Sequence, residues 1–333
     1  MILPITMKDK NYDVVVKKHA LDEIEKYLDL KDKLVLILTD SNVPEEYSIK
    51  IAKKCKKAFI YTIKSGEASK SFENYERIIN FLIRESFSRT DVIVACGGGV
   101  VGDLAGFVAS TYMRGITFYN VPTTLLSQVD SSIGGKTAID KNGVKNIVGA
   151  FYPPSKVVID ENVLKTLDER QLHSGLVEAI KMATTSNKEL FELIKNSNSL
   201  YEDMETIIIE ALKIKKDVVE QDPNELNIRK VLNFGHTIGH AIESSGKFTD
   251  ILHGEAVGVG MLYMCSDHVK KEITEILNKY NLPTNVNLSK EEIFKFISLD
   301  KKRSGDYISI IYVEEIGSYE IRKILLSDIL NYL

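Results

Sequence analysis

The sequence predicts an α/β domain built on a largely parallel sheet, followed by a mainly α-helical domain. Three observations carry this. Residues 1–160 alternate short β-branched runs with helical patterns, the signature of strand–helix–strand units. From Glu161 the texture changes to long helical periodicity, punctuated by Pro223. A chain of 333 residues also exceeds the size at which one core stops growing, so two domains are expected, at 1–160 and 161–333.

In the first domain, strands are expected at 12–16, 34–39, 58–63, 91–96, 117–121 and 156–159, with amphipathic helices at 24–28, 44–53 and 75–84. The strand at 34–39 ends at Asp40-Ser41-Asn42. Open α/β sheets bind ligands at the carboxyl ends of such strands, where an acid can hold ribose hydroxyls; the same side chains can equally do no more than turn the chain. The strand at 91–96 runs into Gly97-Gly98-Gly99-Val100-Val101-Gly102-Asp103 and a helix carrying Leu104, Phe107 and Val108. Consecutive glycines let backbone N–H groups approach a pyrophosphate at a helix N-terminus. The spacing is not G-x-G-x-x-G. A plain strand-to-helix turn needs one or two glycines, so three in a row favour a ligand.

After the strand at 117–121, Pro122 to Thr137 is rich in hydroxyls and glycine and poor in charge until Asp130 and Lys136. That is the composition of a buried functional loop. Lys136, with Lys145 and Asn146 beyond it, offers two ammonium groups and an amide to an anion; a solvated face is the competing reading.

In the second domain, helices are expected at 168–186, 188–197, 199–221, 235–246, 254–271, 272–280 and 289–299, closed by a hairpin of 307–313 and 319–325. Three of the six histidines fall between His236 and His253. His236 and His240 share one helical face, a spacing that serves a transition metal or two ordinary imidazoles. On an otherwise apolar helix, Glu178 and Lys181 stand three apart. They form an ion pair, or Glu178 completes a His/His/carboxylate set, the ligand count of a catalytic zinc. Lys215, Glu225, Arg229 and Asn233 precede the histidines. With Lys136, Lys145 and Lys181 they supply more cations than the nearby acids require, which points to a small, multiply anionic substrate.

The bulk composition narrows the function classes. A net charge of −4 is too mild to predict nucleic-acid or membrane partners, and no apolar run approaches bilayer length. The first twenty residues carry charge throughout, without a signal-peptide core. Cys55, Cys96 and Cys265 are few, distant and odd in number, which supports neither a disulfide scaffold nor a thiolate zinc site. A cytoplasmic protein with reduced thiols is expected.

These motifs, in this order, resemble the 3-dehydroquinate synthase family: Gly97 to Asp103, Arg114-Gly115, Pro122 to Thr137, Lys145-Asn146, Glu178-x-x-Lys181, Leu232 to His240 and His253-Gly254-Glu255. The resemblance extends over essentially the whole chain. It implies an NAD-binding, Rossmann-like domain, a helical metal-binding domain, an active site in the cleft between them, and a homodimer. The implied reaction converts 3-deoxy-D-arabino-heptulosonate 7-phosphate to 3-dehydroquinate and phosphate in the shikimate pathway. It runs by transient oxidation, phosphate elimination, re-reduction and aldol closure. Other readings are a different sugar-phosphate cyclase, of the 2-deoxy-scyllo-inosose or valiolone type, and a metal-dependent alcohol or glycerol dehydrogenase. Lys215, Arg229 and Asn233 argue against the first, and the phosphate-binding residues against the second.

Carried over by position, Asp40, Asn42, Ser65-Gly66-Glu67-Ala68-Ser69-Lys70, Gly98-Gly99-Val100-Val101-Gly102-Asp103, Thr123, Thr124, Lys136, Lys145 and Val163-Leu164-Lys165-Thr166 would meet NAD. Glu178, His236 and His253 would hold zinc, or cobalt in its place, leaving His240 for proton transfer with Glu225. Lys136, Asn146 and Arg114 would clamp the phosphate, Arg114 from a second subunit. Lys215, Arg229 and Lys302 would bind the carboxylate and nearby hydroxyls, and Lys181, Asp130, Leu232 and Asn233 the rest of the substrate. Lys136 and Lys181 join His240 and Glu225 as catalytic residues. The chain departs from the family pattern at Pro223-Asn224-Glu225-Leu226-Asn227, usually Glu-x-Glu-x-Gly after Asp222, and at Asp140, where asparagine is common.

Overall fold

The structure is a computed structural model that describes residues 1–7, 10–246, 251–301 and 306–333. The chain divides into two compact units, Met1–Asp168 and Glu169–Leu333.

Among the described residues the first unit holds nine strands: β1 Ile2–Ile5, β2 Tyr12–Val16, β3 Leu34–Asp40, β4 Lys57–Ile63, β5 Val92–Gly97, β6 Thr117–Pro122, β7 Lys136–Lys141, β8 Val144–Phe151 and β9 Lys156–Ile159. Its helices are α1 Glu45–Ala52, α2 Phe72–Arg84 and α3 Gly99–Thr111. Seven strands form one sheet in the order β1-β2-β9-β6-β5-β3-β4. All neighbours are parallel except β1, which pairs antiparallel with β2. Both faces of the sheet are covered. Leu36 and Leu38 of β3 enter one core with α2 and α3, and Val35 and Ile37 enter the other with α1. That double burial explains why these strands read as unbroken apolar runs rather than alternating ones.

Two stretches of this unit differ from the sequence expectation. The helix expected at 24–28 is a kinked 3-10 segment, Ala20–Lys26, with Glu23 outside helical geometry. The stretch around Lys136, expected as a buried loop, becomes the hairpin β7–β8 after Gly135; Thr137, Ala138 and Ile139 are buried, while Lys136, Lys145 and Asn146 are solvent-facing. The hairpin is anchored by Ile139, which joins the α3 core. Lysines on its outer face stay in water at no desolvation cost.

The second unit contains α4 Glu169–Ser186, α5 Lys188–Asn196, α6 Leu200–Gln221, α7 His236–Ser244, α8 His253–Met261, α9 Asp267–Lys279, α10 Lys290–Lys301 and the antiparallel hairpin β10 Tyr307–Tyr312 with β11 Glu320–Leu325. The helix expected over 254–271 is broken after Met261. There the backbone of Met264 and Ser266 exchanges hydrogen bonds with Val313, so those groups cannot serve a helix. The Ser266 hydroxyl then caps α9 by accepting from the N–H of Val269, and α9 runs unbroken through the boundary expected at 272.

Glycines let α8 touch its neighbours backbone to backbone. A Cβ on Gly254 would lie 1.9 Å from the carbonyl oxygen of Ser174 in α4, and one on Gly260 would lie 2.1 Å from that of Gly235, which opens α7. Overpacking of this kind, against main chain that cannot rotate away, costs about 3 kcal/mol or more. Gly254→Ala is therefore expected to lower the thermal midpoint by roughly 6–12 °C. Gly258→Ala, whose Cβ meets only the flexible end of Leu277 at 3.2 Å, should change it little; equal effects in calorimetry would contradict this packing.

Candidate active site

Three helices of the second unit bring one carboxylate and two imidazoles together. Glu178 lies mid-way along α4, on a face that is buried almost throughout. His236 is the first residue of α7, and the chain enters it through Gly235 at φ 76°, a left-handed conformation that glycine adopts without strain. His253 is the first residue of α8. The start of α8 is held from three sides: the Gly254 N–H donates to the Ser174 hydroxyl at 3.1 Å, the Leu252 N–H donates to Glu255 at 2.9 Å, and Arg170 grips Glu255 with two bonds of 2.6 and 2.8 Å.

Glu178 Oε1 stands 3.6 Å from His236 Nε2 and 3.4 Å from His253 Nε2. It is buried and accepts no hydrogen bond among the described residues. The other oxygen, Oε2, accepts from Lys181 Nζ. The ion pair and the ligand face thus occupy different oxygens of one carboxylate. Glu178, His236 and His253 form a group whose ligand atoms all lie within 4.8 Å of one another. Atoms bound about 2.0–2.2 Å from a tetrahedral ion stand about 3.3–3.6 Å apart, so these three fit a divalent metal. A buried carboxylate oxygen facing two imidazole nitrogens otherwise lacks the partner its desolvation demands. The ring of His236 is directed by its Nδ1, 3.1 Å from the carbonyl oxygen of Phe234, which leaves Nε2 toward Glu178.

Electrostatics in the metal-free protein agree. Burial opposes charge on Glu178, but Lys181 and the two histidines hold its carboxyl well below the usual range. Burial and the Lys181 ammonium push His236 down to about 3, so its ring is neutral. Burial also opposes charge on His253, yet the carboxylates of Glu178 and Glu243 outweigh it and lift the ring to about 10. A divalent ion held at this ring's Nε2 would have to displace its proton. His240, one turn beyond His236 on α7, is exposed. Its ring centroid lies 5.4 Å from that of His236 and 6.0 Å from that of His253.

Lys181, Lys215 and Arg229 are all buried, and both α6, with Lys215, and the 3-10 turn Ile228–Asn233, with Arg229 and Leu232, pack on α4. Arg229 donates from Nη1 to the carbonyl of Pro223 at 2.5 Å. Asn233 donates to Glu225 Oε1 at 2.6 Å, joining two residues expected at the site. The loop between them is organised by Asp222, whose carboxylate accepts the N–H groups of Leu226, Asn227 and Arg229. Those bonds hold Asp222 below the usual carboxylate range despite burial. Glu225 itself sits at φ 60°. Lys302 lies outside the described residues.

In the first unit, the residues expected at the cofactor follow the carboxyl ends of five adjacent parallel strands. Val163 to Thr166 follow β9, Thr123 and Thr124 follow β6, Gly98 to Asp103 follow β5, Asp40 ends β3 with Asn42 just beyond it, and Ser65 to Lys70 follow β4. α3 opens at Gly98 with no side chain capping it, so first-turn N–H groups face outward as a dinucleotide pyrophosphate requires. Asp40 Oδ1 accepts from the Asn42 N–H at 2.8 Å, so the acid does turn the chain. Thr166 Oγ1 and Tyr47 Oη are 2.9 Å apart. Lys70 is buried and ties the α3 start to the hairpin, bonding Asp103 at 2.7 Å and Asn146 Oδ1. Burial pushes Asp103 up to about 6 against the pull of Lys70. Asp130 lies in the turn Ser127–Ser131, and Arg114 is exposed at φ 68° after α3.

Sequence reasoning gave Asp140 no role and missed Glu243. Asp140 accepts the N–H of Asn146 at 2.8 Å, fixing the backbone of that left-handed residue, a bond visible only once the hairpin is formed. Glu243 lies 3.3 Å from His253 Nδ1. Its position seven residues after His236, on the same helical face, was the available signal.

An α/β unit with an open carboxyl edge, joined in sequence to a helical unit with a Glu/His/His triangle, defines a metal- and dinucleotide-dependent class of enzyme. Residues 60–174 match the model of the 3-dehydroquinate synthase N-terminal domain, and residues 175–303 that of its C-terminal domain. The chain is 41% identical to the 3-dehydroquinate synthase of Enterococcus faecalis, covering 100% of this chain and 98% of that one. It is 39% identical to that of Streptococcus thermophilus, covering 100% and 99%. The chain belongs to the 3-dehydroquinate synthase family. Among solved structures, it is similar to a 2-deoxy-scyllo-inosose synthase complexed with carbaglucose-6-phosphate, NAD+ and Co2+, with a TM-score of 0.87, 25% identity and full coverage of both chains. An iron-containing alcohol dehydrogenase, with a TM-score of 0.69 at 16% identity over 96% of each chain, shares the fold alone.

Proposed function

We propose that the chain converts 3-deoxy-D-arabino-heptulosonate 7-phosphate to 3-dehydroquinate and phosphate, the second step of the shikimate pathway. The Glu178–His236–His253 triangle, in a chain alike over its full length to 3-dehydroquinate synthases, carries the reading. A cyclase acting on a substrate without a carboxylate has less need of the buried Lys215 and Arg229.

Glu178, His236 and His253 would hold a zinc or cobalt ion, which would supply Lewis acidity at a substrate hydroxyl, and NAD bound by the first unit would supply the hydride acceptor and donor. Asp40, Asn42, Ser65 to Lys70, Gly98 to Asp103, Thr123, Thr124, Lys145 and Val163 to Thr166 bind that cofactor. Lys136 and Asn146 bind the phosphate with Arg114 of a second copy, which makes the working form a homodimer. Lys215, Arg229 and Lys302 hold the carboxylate; Lys181, Asp130, Leu232 and Asn233 orient the remaining hydroxyls. Glu225 accepts a proton at its carboxylate, kept in place by the bond from Asn233. His240 moves a proton at its ring nitrogen and stays off the metal. No helix among the described residues is long and apolar enough to cross a membrane. The three cysteines are free, in keeping with a cytoplasmic setting.

With the heptulosonate phosphate, substoichiometric NAD and zinc, one phosphate is expected per dehydroquinate, with no net NADH absorbance. Sustained NADH accumulation would overturn the reading in favour of a dehydrogenase.

A further inference from the structure

We infer that Glu243 is a positioning residue for the metal site, fixing the tautomer and direction of His253. This rests on the proposed role of Glu178, His236 and His253 as metal ligands.

The two nitrogens of the His253 ring face two different carboxylates. His253 Nε2 points to Glu178 Oε1 at 3.4 Å, and Nδ1 points to Glu243 Oε2 at 3.3 Å. An ionised carboxylate can only accept a hydrogen bond, so the one facing Glu243 must be Nδ1–H. Nε2, which carries the ring's second proton toward Glu178, is then the nitrogen that gives up its proton in favour of the ion. A neutral imidazole without such a partner distributes its proton over both nitrogens and turns about its own axis, and each freedom lost at loading weakens binding. His236 has no carboxylate in the equivalent place, since its Nδ1 is met by the carbonyl oxygen of Phe234. The two histidines are thus oriented by different devices, one main-chain and one side-chain, and only the second is open to substitution.

The placement of Glu243 strengthens this. It lies on α7, the helix that begins with His236, so one rigid element delivers a ligand and the group that aims the other ligand. Its side chain is mostly buried, at 12% exposure, while His253 is 34% exposed. The partly open ring is the one that needs an external brace.

The same geometry raises a competitor. His240, Glu243 and His253 also lie with ligand atoms within 4.8 Å of one another, which would make Glu243 a ligand to a second ion.

The experiment titrates metal-free protein with zinc against a chelating dye, for wild type, Glu243→Gln and Glu243→Leu, with cobalt absorption spectra and metal-free thermal midpoints alongside. Wild type is expected to bind one ion per chain. Glu243→Leu should weaken zinc about 10- to 100-fold and alter the cobalt spectrum. Glu243→Gln should fall between, because its amide oxygen still accepts from Nδ1–H but lacks the charge. Without metal, Glu243→Gln should stay folded with a midpoint somewhat below that of wild type, because it loses the carboxylate that favours the His253 cation. Equal zinc affinity in all three would overturn the inference while leaving the metal site standing. Should Glu243→Leu fail to fold, wild-type affinity and spectrum in Glu243→Gln would overturn it alone. Two ions in wild type and one in Glu243→Gln would overturn it in favour of Glu243 as a ligand. A wild type that binds no ion would overturn the metal reading and this inference together.

Discussion

Glu178→Gln should abolish stoichiometric metal binding and reduce turnover by roughly 1,000-fold or more, the scale of several kcal/mol of lost charge stabilisation. Two effects are superimposed in this variant, because the two carboxylate oxygens do different things. Oε1 faces the histidines, and Oε2 accepts from Lys181, itself only 2% exposed. Removing the charge takes the Glu178 carboxylate away from a buried ammonium, a change that costs about 3–5 kcal/mol of stability when a buried pair is broken. A loss of activity could then reflect unfolding alone. Combining the change with Lys181→Met removes the stranded charge and should restore much of the thermal midpoint, but not the metal. Elemental analysis of the purified proteins separates the cases. A Glu178→Gln protein that retains one ion per chain would end the ligand assignment.

His240→Ala should behave in the opposite way, keeping one ion per chain and losing about 100- to 10,000-fold in kcat, the range for a proton-transfer group. His240 shares a helical face with His236 and its ring lies 5.4 Å away, centroid to centroid. It is nevertheless exposed and is not part of the triangle that includes Glu178. Little desolvation or packing is therefore at stake, and metal content with kcat reads function directly. Loss of metal here would place His240 among the ligands.

The parts of the fold that were legible in the sequence are those whose burial is local and continuous. β3 and β5 read as strands because both of their faces are covered, leaving no polar positions to blur the run. The triglycine turn was legible because a strand meets a helix there with almost no side chains. Features decided by distant partners were not legible. The hydroxyl- and glycine-rich stretch up to Gly135 runs directly into the hairpin, and only pairing of β7 with β8 shows that Lys136, Lys145 and Asn146 face water. The break between α8 and α9 depends on Val313, roughly fifty residues further on, claiming backbone groups that local periodicity assigned to a helix. Spacing placed His236 and His240 on one face, but the partner Glu178 comes from another helix, and spacing within α7 alone could not rank them. Glu243 escaped notice because a single acid on a polar helix face is ordinary until His253 arrives opposite it.

The glycine contacts of α8 have a consequence for how the metal enters. Spacers of side-chain atoms between helices allow them to slide and re-pack; main chain against main chain does not. Main-chain contact of α8 with α4 and with the start of α7 fixes the separation of the helices that carry Glu178, His236 and His253, so on the proposed ligand assignment an ion would be received rather than used as a fold organiser. Chelation should empty such a seat without melting the unit around it, unlike a zinc finger, whose chain collapses when the metal is taken away.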